Sequence, residues 1–547
     1  MEQMKKLVID GQILQTDAWY RGMGKYLIEL LKELNKRATR DSFEISIIFN
    51  KALNQDKDRF NILFAECPNI KQLHLELPVT HGRPSSPRIY KKKLEKLTAE
   101  HSGSDTYFLI TALFFFDFFA EFPSNCKKLI LIYDLIPFLF WRELGEFFPA
   151  NFYMRRFETI LEADHIFAIS ESTKKDLMKC LGLPEERITN INGGFSRFNG
   201  KTSRPAHLRL PNNYILFPTG NLPHKNNEAA VKGFEAYRQK YDSEAVLVVT
   251  SSFNKGSKER LSILSPNIIF TGHISDSELD WLYQHASVVL FASLHEGLGL
   301  PVLDAISYGK PIVASRVPVF EEMSLVAFYF FDPHKPQDLV KAIDDAVSRK
   351  GLSAKIKRYP AIMNKYTWNN TCLSFIDGLN HTKVNNRKRK SKKPYIALAC
   401  VYPGIAGQIG RKAEVLYSSL SEDFRVDFYF DFGQFSPHDS ERPTFIDYFN
   451  VNVLNISRLN RHTYKKYKCI IYLIDYSSIP SRLAQRASIL PGIALINRAQ
   501  TSTIDQQIFM DLAISNQLAT YQTAEATCDL GNFIKEIGSL MQYKGKQ

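Results

Sequence analysis

The residues best placed to do chemistry lie in one short stretch, His295-Glu296-Gly297-Leu298-Gly299-Leu300-Pro301, with Asp304 just beyond. The apolar run at 288–291 reads as a buried strand, and a helix is expected from Leu300 or Pro301. A strand, a glycine turn and a helix start leave unpaired N–H groups where a phosphate binds. The two glycines permit close backbone approach to a ligand. Glu296 is expected to face that ligand, and Asp304, eight residues on, to reach a ribose from the first helical turns. Turns of this kind also occur as plain connections in α/β proteins, so the pattern alone leaves both readings open.

The elements that must hold this stretch follow from periodicity. Short apolar runs at 7–9, 44–49, 107–110, 129–133 and 166–169 alternate with helical patterns at 23–34 and 172–181. Runs at 214–217, 245–250, 268–271, 288–291 and 311–315 alternate with helices at 226–241, from Ser275 or Asp276, at 301–308 and at 336–349. Strands alternating with helices imply parallel sheets covered on both faces. A third unit opens with a strand at 395–401, a turn holding Pro403, Gly404, Gly407 and Gly410, and a helix through Leu420. Strands at 426–429 and 470–474 continue it. The domains expected are 1–200, 201–380, a basic linker at 381–393 and a smaller unit at 394–547.

Bulk properties narrow the class. A chain of 547 residues exceeds one core, and 44% hydrophobic with 12% aromatic residues is ordinary globular composition. The seven cysteines have neither zinc-site nor redox spacing, which points to a reducing cytosol. No signal-peptide core precedes Asp10, and the run 129–141 is short and broken by Asp134. The net charge of +13 owes much to residues 387–393, six of which are basic. No nucleic-acid motif accompanies that cluster or the one at Arg88, Lys91, Lys92, Lys93 and Lys96. A solvated face or attraction to an anionic membrane surface accounts for them better than nucleic acid. The phenylalanines Phe114, Phe115, Phe116, Phe118, Phe119 and Phe122 read as core and cleft wall, or as contact with a lipid-linked acceptor or membrane.

Residues 270–323, FTGHISDSELDWLYQHASVVLFASLHEGLGLPVLDAISYGKPIVASRVPVFEEM, closely resemble the donor half of the retaining glycosyltransferases with two Rossmann domains, their fourth family. That family carries a glutamate, seven residues and a second glutamate around Gly-Leu-Pro; here the acids are Glu296 and Asp304, the second one methylene shorter. Residues 214–227, YILFPTGNLPHKNN, resemble its diphosphate turn, with Lys225 matching the family lysine. His224 stands where many relatives have arginine, and Asn221 at a nearby position basic in others. His224 adds charge there only when protonated. The resemblance implies a donor site of Gly220, Asn221, His224, Lys225, Gly272, His273, Glu296, Gly297, Leu298, Gly299, Leu300 and Asp304, with the backbone at Gly272 and His273 against the base.

The first half resembles a bacterial polysaccharide subgroup of the family, the O-antigen mannosyltransferases. Arg21-Gly22-Met23-Gly24-Lys25-Tyr26 resembles its glycine loop, Tyr133-Asp134-Leu135-Ile136-Pro137 its Asp-x-Ile-Pro element, and Ser170-Glu171-Ser172 its serine turn. Asp134 then binds a sugar hydroxyl or acts on the acceptor, or is merely a cap. Residues 393–420 and Pro491-Gly492-Ile493-Ala494-Leu495 resemble the first-half elements again, but Ile496-Asn497-Arg498 replace the polar pair expected there. This unit reads as a degenerate or acceptor-handling module.

The fold so implied is α/β of GT-B type, two facing Rossmann-like domains plus a third partial one. The implied activity is retaining transfer of a sugar from a nucleotide diphosphate sugar to a glycan, with Lys225, Glu296 and Asp134 as the catalytic residues. The subgroup points to mannose; rhamnosyl and glucosyl donors stay open. A lipid-linked acceptor, a cytoplasmic place with peripheral membrane contact, and no cofactor or metal are expected. The one Asp-x-Asp, Asp56-Lys57-Asp58, lies in a polar stretch and reads as no metal site. Two rivals remain: a catalytically silent scaffold or glycan-binding subunit, and a sugar-nucleotide epimerase on the same fold.

Overall fold

In the computed structural model of the chain the described residues are 5–38, 43–53, 56–79, 86–100, 106–115, 119–140, 156, 159–181, 183–196, 200–251, 253–382, 393–401, 413, 416–417, 420–421, 424–431, 453–455, 466–467, 469–475, 493–497 and 519–523. Several features named above lie outside them. These are residues 383–392 of the basic linker, Phe116 and Phe118, the turn with Pro403, Gly404, Gly407 and Gly410, and Pro491, Gly492 and Arg498.

The first sheet holds β1 (Lys5–Asp10), β2 (Phe43–Asn50), β3 (Ile70–Leu75), β4 (Thr106–Ile110), β5 (Lys127–Ile132), β6 (His165–Ala168) and β7 (Ile188–Asn190). Its order is β3-β2-β1-β4-β5-β6-β7, with every pairing parallel. The second holds β8 (Ile215–Pro218), β9 (Leu247–Thr250), β10 (Ile268–Phe270), β11 (Val288–Phe291), β12 (Ile312–Ser315) and β13 (Tyr329–Phe331), ordered β10-β9-β8-β11-β12-β13 and again parallel. Central strands such as β4 and β11 are buried along their whole length, as continuous apolar runs require between two helical layers. Each sheet therefore reverses its strand order once, between β1 and β4 and between β8 and β11. Open α/β sheets bind ligands outside the carboxyl ends of such a pair.

Two compact units make up the chain. One comprises Met1–Phe147, His165–Lys175 and Ile188–Thr382, and contains both of these sheets; the other comprises Phe148–Asp164, Asp176–Arg187 and Lys383–Gln547. Within the first, one apolar cluster runs from Leu7, Tyr26 and Leu30 through Leu298 to Val289, Leu303 and Ile306. The helix Trp368–Asn380, which closes the second stretch of sequence, packs on the first sheet instead of its own. Phe375 meets Phe167 at 4.4 Å between ring centroids, and Trp368 meets Tyr26 at 5.0 Å. Local pattern carries no trace of such a return.

The second unit holds β14 (Tyr395–Val401), β15 (Arg425–Asp431), β16 (Val453–Asn455), β17 (Cys469–Asp475), β18 (Ile493–Asn497) and β19 (Ala519–Thr523). These six parallel strands, ordered β16-β15-β14-β17-β18-β19, repeat the reversal of the other two sheets. Buried Asp427 accepts from Lys466 Nζ at 2.6 Å and from Tyr467 at 2.8 Å. Asp427 lies near the start of β15, so this cluster sits at the edge away from the carboxyl ends.

Among the described residues no helix is long and apolar enough to cross a membrane. Of the phenylalanine run, Phe122 is fully buried against Phe108, Phe119 lies beside Tyr90, and Phe115 packs on the core. Those three side chains serve packing.

Candidate functional site

Beyond the carboxyl end of β8, two contacts shape the loop. The Asn227 side chain accepts from Thr219 Oγ1 at 2.7 Å and donates to the Gly220 carbonyl at 2.8 Å. Pro223–Lys225 forms a single tight helical turn, which Asn226 ends in the left-handed region at φ 56°. Beyond β11, Ser315 Oγ donates to the Ser293 carbonyl at 2.5 Å, and the Leu294 N–H to the His224 carbonyl at 2.7 Å. The two loops are thus joined through their backbones. Their side chains close the same gap: Lys225 Nζ donates to Glu296 Oε1 at 2.5 Å, and Ser293 Oγ to the same oxygen at 2.6 Å.

The electrostatics follow from this pairing. Burial pushes the Glu296 carboxyl up, but the Lys225 ammonium and the hydrogen bonds from Lys225 and Ser293 outweigh it and hold it below its usual range. His224 is 3% exposed; burial first, and Lys225 second, lower its pKa to about 4. Its ring is therefore neutral at pH 7 and supplies no second cation in this state. Its Nδ1 is buried with no hydrogen-bond partner among the described residues, and the ring lies 5.9 Å from that of Phe140.

The glycines have a further reason besides ligand approach. A Cβ on Gly297 would sit 2.2 Å from the Tyr133 carbonyl oxygen, in the loop after β5. The Gly297 carbonyl accepts from Ser170 Oγ at 2.5 Å and from Thr173 Oγ1 at 3.2 Å. Gly299 has φ +81° and would meet the Phe320 ring at 2.7 Å. Leu298 is buried against Gly193 and Tyr26. Protein packing against the first sheet's loops thus accounts for Gly297 and Leu298. Gly22, at the start of the helix Gly22–Ala38, faces Leu300 at 3.7 Å, and Gly24 is forced by the Ala18 carbonyl at 2.3 Å.

Asp134 stands on the opposing loop. Its Oδ1 accepts from the Ile136 N–H at 2.9 Å, so it does cap a turn. It also lies in the field of His295, Glu296 and Lys225, and burial raises its pKa. Lys225, Glu296, His224, Gly297 and Asp134 therefore share one locality. Asp304 is apart from them, within the helix Leu300–Ser307, with Lys25, Asp280 and Asp276 around it; burial first, then the two acids against Lys25, raises it to about 7. Lys25 itself bonds Asp276 at 2.9 Å. A Cβ at Gly220 or Gly272 would meet open space, with Gly272 at φ +66°. Asn221 and His273 are exposed, as is Arg21, which pairs with Asp17 at 2.5 Å.

Sequence reasoning missed Ser293, which fixes the Glu296 carboxylate, and Glu322, whose two oxygens accept from the Glu171 and Ser172 N–H groups at 3.0 Å each. Ser293 was detectable as a hydroxyl three residues before the acid in the same loop. Glu322 carried no signal, because its partners are 150 residues away. Asp56, from the Asp-x-Asp, accepts from the Arg59 N–H at 3.3 Å as a helix cap. Chemically the arrangement offers one permanent cation, the start of the helix Leu300–Ser307, and an oriented carboxylate, a set suited to an anionic group linked to a polyol.

The profile of the family "Glycosyl transferases group 1" matches residues 201–361, which contain both loops. The serotype-specific mannosyltransferase WbdA of Escherichia coli is 28% identical over 269 residues, covering 46% of this chain and 33% of that protein. A second WbdA sequence is 24% identical over 412 residues, covering 68% and 47%. The chain thus spans a third to about half the length of these relatives. The O-antigen chain mannosyltransferase RfbU of Salmonella typhimurium is 23% identical over 242 residues, covering 42% and 64%. Among solved structures, Anabaena HepE in complex with UDP and glucose superposes with a TM-score of 0.51 at 15% identity, covering 69% of this chain and all of that one. A Rickettsia africae glycosyltransferase gives 0.50 at 15%, covering 70% and 99%. At these identities the likeness concerns the fold.

Proposed function

Because residues 201–361 form a glycosyl transferases group 1 domain in a chain with the GT-B fold, we propose that this protein transfers a sugar from a nucleotide diphosphate sugar to a glycan. The observation that carries the reading is the Lys225–Glu296 pair, on the two loops beyond β8 and β11 where the strand order reverses. The relatives named mannosyltransferases support mannose as the sugar and a cell-surface polysaccharide as the product. A lipid-linked acceptor fits that product.

In this reading the diphosphate takes Lys225 from Glu296 and lies against the start of the helix Leu300–Ser307. Preorganised positive charge there stabilises the negative charge that develops as the bond between the sugar C1 and the phosphate oxygen breaks. The acceptor hydroxyl forms the new bond to C1 on the face the phosphate leaves, and its proton passes to the departing phosphate. The anomeric configuration is then retained without a covalent enzyme intermediate. Glu296, held by Ser293 once Lys225 turns to the phosphate, accepts a hydroxyl of the sugar, and Asp134 accepts one on the acceptor side. Asp304 serves the ribose hydroxyls.

A second reading, a silent glycan-binding subunit, draws on the charge count: Glu296 neutralises Lys225, His224 is neutral, and Asn221 is uncharged. Turnover of a panel of nucleotide diphosphate sugars with an oligosaccharide acceptor separates the two. The expected result is transfer with retained configuration, reduced about 10²–10³-fold in Lys225→Ala, the usual cost of removing a preorganised transition-state charge partner. Wild-type turnover in both Lys225→Ala and Glu296→Ala would remove the site assignment. Nucleotide binding without any turnover would favour the silent subunit.

A further inference from the structure

Tyr20 is 53% exposed and ends the short helical turn Asp17–Tyr20, in the loop that follows β1. One face of its ring is covered by the Arg59 guanidinium, 4.2 Å from the ring centroid. Arg59 belongs to the helix Lys57–Glu66, which follows β2, and Asp56 takes its Nε at 3.1 Å. Ring and cation therefore stand beyond the carboxyl ends of two paired strands of the first sheet. Ligands of open α/β sheets gather at that edge.

A lone exposed tyrosine is ordinary on a protein surface, but this one sits on a turn braced from several directions. Thr16 Oγ1 caps the turn by accepting from the Ala18 N–H at 3.2 Å. The Arg21 N–H donates to the Ala18 carbonyl at 3.0 Å, and the Arg21 side chain takes Asp17 at 2.5 Å. Trp19 stacks on Phe60 with 5.1 Å between ring centroids, which ties the turn to the helix that carries Arg59. A Cβ on Gly24 would lie 2.6 Å from the Trp19 Cα, so the turn also abuts the helix Gly22–Ala38. A Cβ on Gly22, two residues after Tyr20, would lie 3.7 Å from Leu300 at the start of the donor-side helix. The braced ring is thus beside the cleft, on the side of the first sheet.

Chemistry selects the ligand. A pyranose presents C–H groups on its faces and hydroxyls around its rim. A preorganised aromatic ring takes such a face at small entropic cost. The guanidinium, with five N–H donors, and the exposed carboxylates of Asp17 and Asp56 suit the hydroxyls. A nucleotide base would also stack on a tyrosine. Here, however, the cations Arg21 and Arg59 are each matched by an acid, Asp17 and Asp56. A locally neutral surface favours an uncharged saccharide over a nucleoside diphosphate.

We propose that Tyr20 and Arg59 form a subsite for one sugar of the acceptor chain, stacked on the tyrosine ring away from the reacting end. The word acceptor rests on the transfer reading above, whereas the stacking needs only a saccharide.

Saturation-transfer NMR on the full chain, with manno-, rhamno- and gluco-tetrasaccharides in the presence of GDP, measures that contact without turnover. The expected result is binding of at least one tetrasaccharide, weakened about tenfold in Tyr20→Ala and near wild type in Tyr20→Phe, which keeps the ring. GDP affinity and the unfolding midpoint should stay at wild-type values in both variants. In a turnover assay Tyr20→Ala should raise KM for the acceptor and leave kcat in place. Absence of binding to all three tetrasaccharides, wild-type saccharide binding by Tyr20→Ala, or a Tyr20→Phe variant as weak as Tyr20→Ala overturns the proposal. A matching loss of GDP affinity in Tyr20→Ala overturns it in favour of a nucleotide base on the ring. Saccharide binding that depends on Tyr20 in a protein without turnover would remove the transfer reading and support the subsite.

Discussion

Two side chains at the candidate site make separable predictions. Asn221 is exposed in the loop beyond β8, where the family resemblance places a basic residue. Asn221→Arg should tighten nucleoside diphosphate binding about tenfold, a gain of about 1.4 kcal/mol, because a charge-assisted contact replaces none; calorimetric titration with GDP and UDP reads this, and unchanged affinity would place the diphosphate elsewhere. Asp304 answers to pH. Its folded pKa of about 7 exceeds that of an unfolded aspartate, so the native state holds an extra proton between about pH 4 and 7. Stability is therefore lost as pH rises through that window, by at most about 1.4 kcal/mol per unit. Asp304→Asn should flatten the loss, so that its unfolding midpoint gains on wild type from pH 5 to pH 8; parallel profiles would contradict the assignment. Glu296 and Asp304 were singled out from residue type and spacing, and Lys225 only through the family resemblance of residues 214–227. The neutrality of His224 was not legible, because it depends on burial beside Lys225 and Phe140, which no local pattern encodes.

Elements explain why the glycines stand where they do. The turn from β11 into the helix Leu300–Ser307 was readable because a buried strand, two glycines and a proline sit at fixed offsets. Sequence suggested that these glycines make room for a ligand. At Gly297 the neighbour is the Tyr133 carbonyl, supplied by the other sheet. Gly297→Ala should cost about 1–3 kcal/mol, as overpacking of a tight contact does, and should lower turnover by separating the loops of the two sheets. Thermal unfolding beside a turnover assay measures both, and a stable, fully active variant would show that the contact is dispensable. The capping box at Ser275 and Glu278 matched the helix start expected at that point. Strand β3, alternating between exposed and half-buried residues at the sheet edge, and the three-residue strands β7, β13 and β16 escaped notice. The three-residue runs are too short to stand out, and β3 has a single buried residue, Ile70.

At the scale of the whole molecule, the site exists only where the two sheets of the first unit meet. Glu322 accepts two N–H groups at the start of the helix Glu171–Leu181, and Ser170 and Thr173 donate to Gly297. Anions at a helix start are favoured, so this carboxylate helps to hold the loops closed. Glu322→Gln should speed amide exchange at Glu171 and Ser172 and weaken donor affinity several-fold, while the strands stay protected; unaltered exchange there would remove that role. The alternation of strands and helices made the parallel α/β class legible. It could not give these contacts, which join residues more than a hundred positions apart. The central claim is that Lys225 and Glu296 together form the donor site. Equilibrium binding of GDP and UDP to wild type, Lys225→Ala and Glu296→Gln tests it most directly, with turnover measured on the same samples. Lys225→Ala should weaken binding at least about tenfold, as loss of a charge-assisted contact does. Glu296→Gln should bind the diphosphate as tightly as wild type or more so, since Lys225 is no longer neutralised, yet lose turnover. Wild-type binding by Lys225→Ala, or full turnover by Glu296→Gln, would contradict the account.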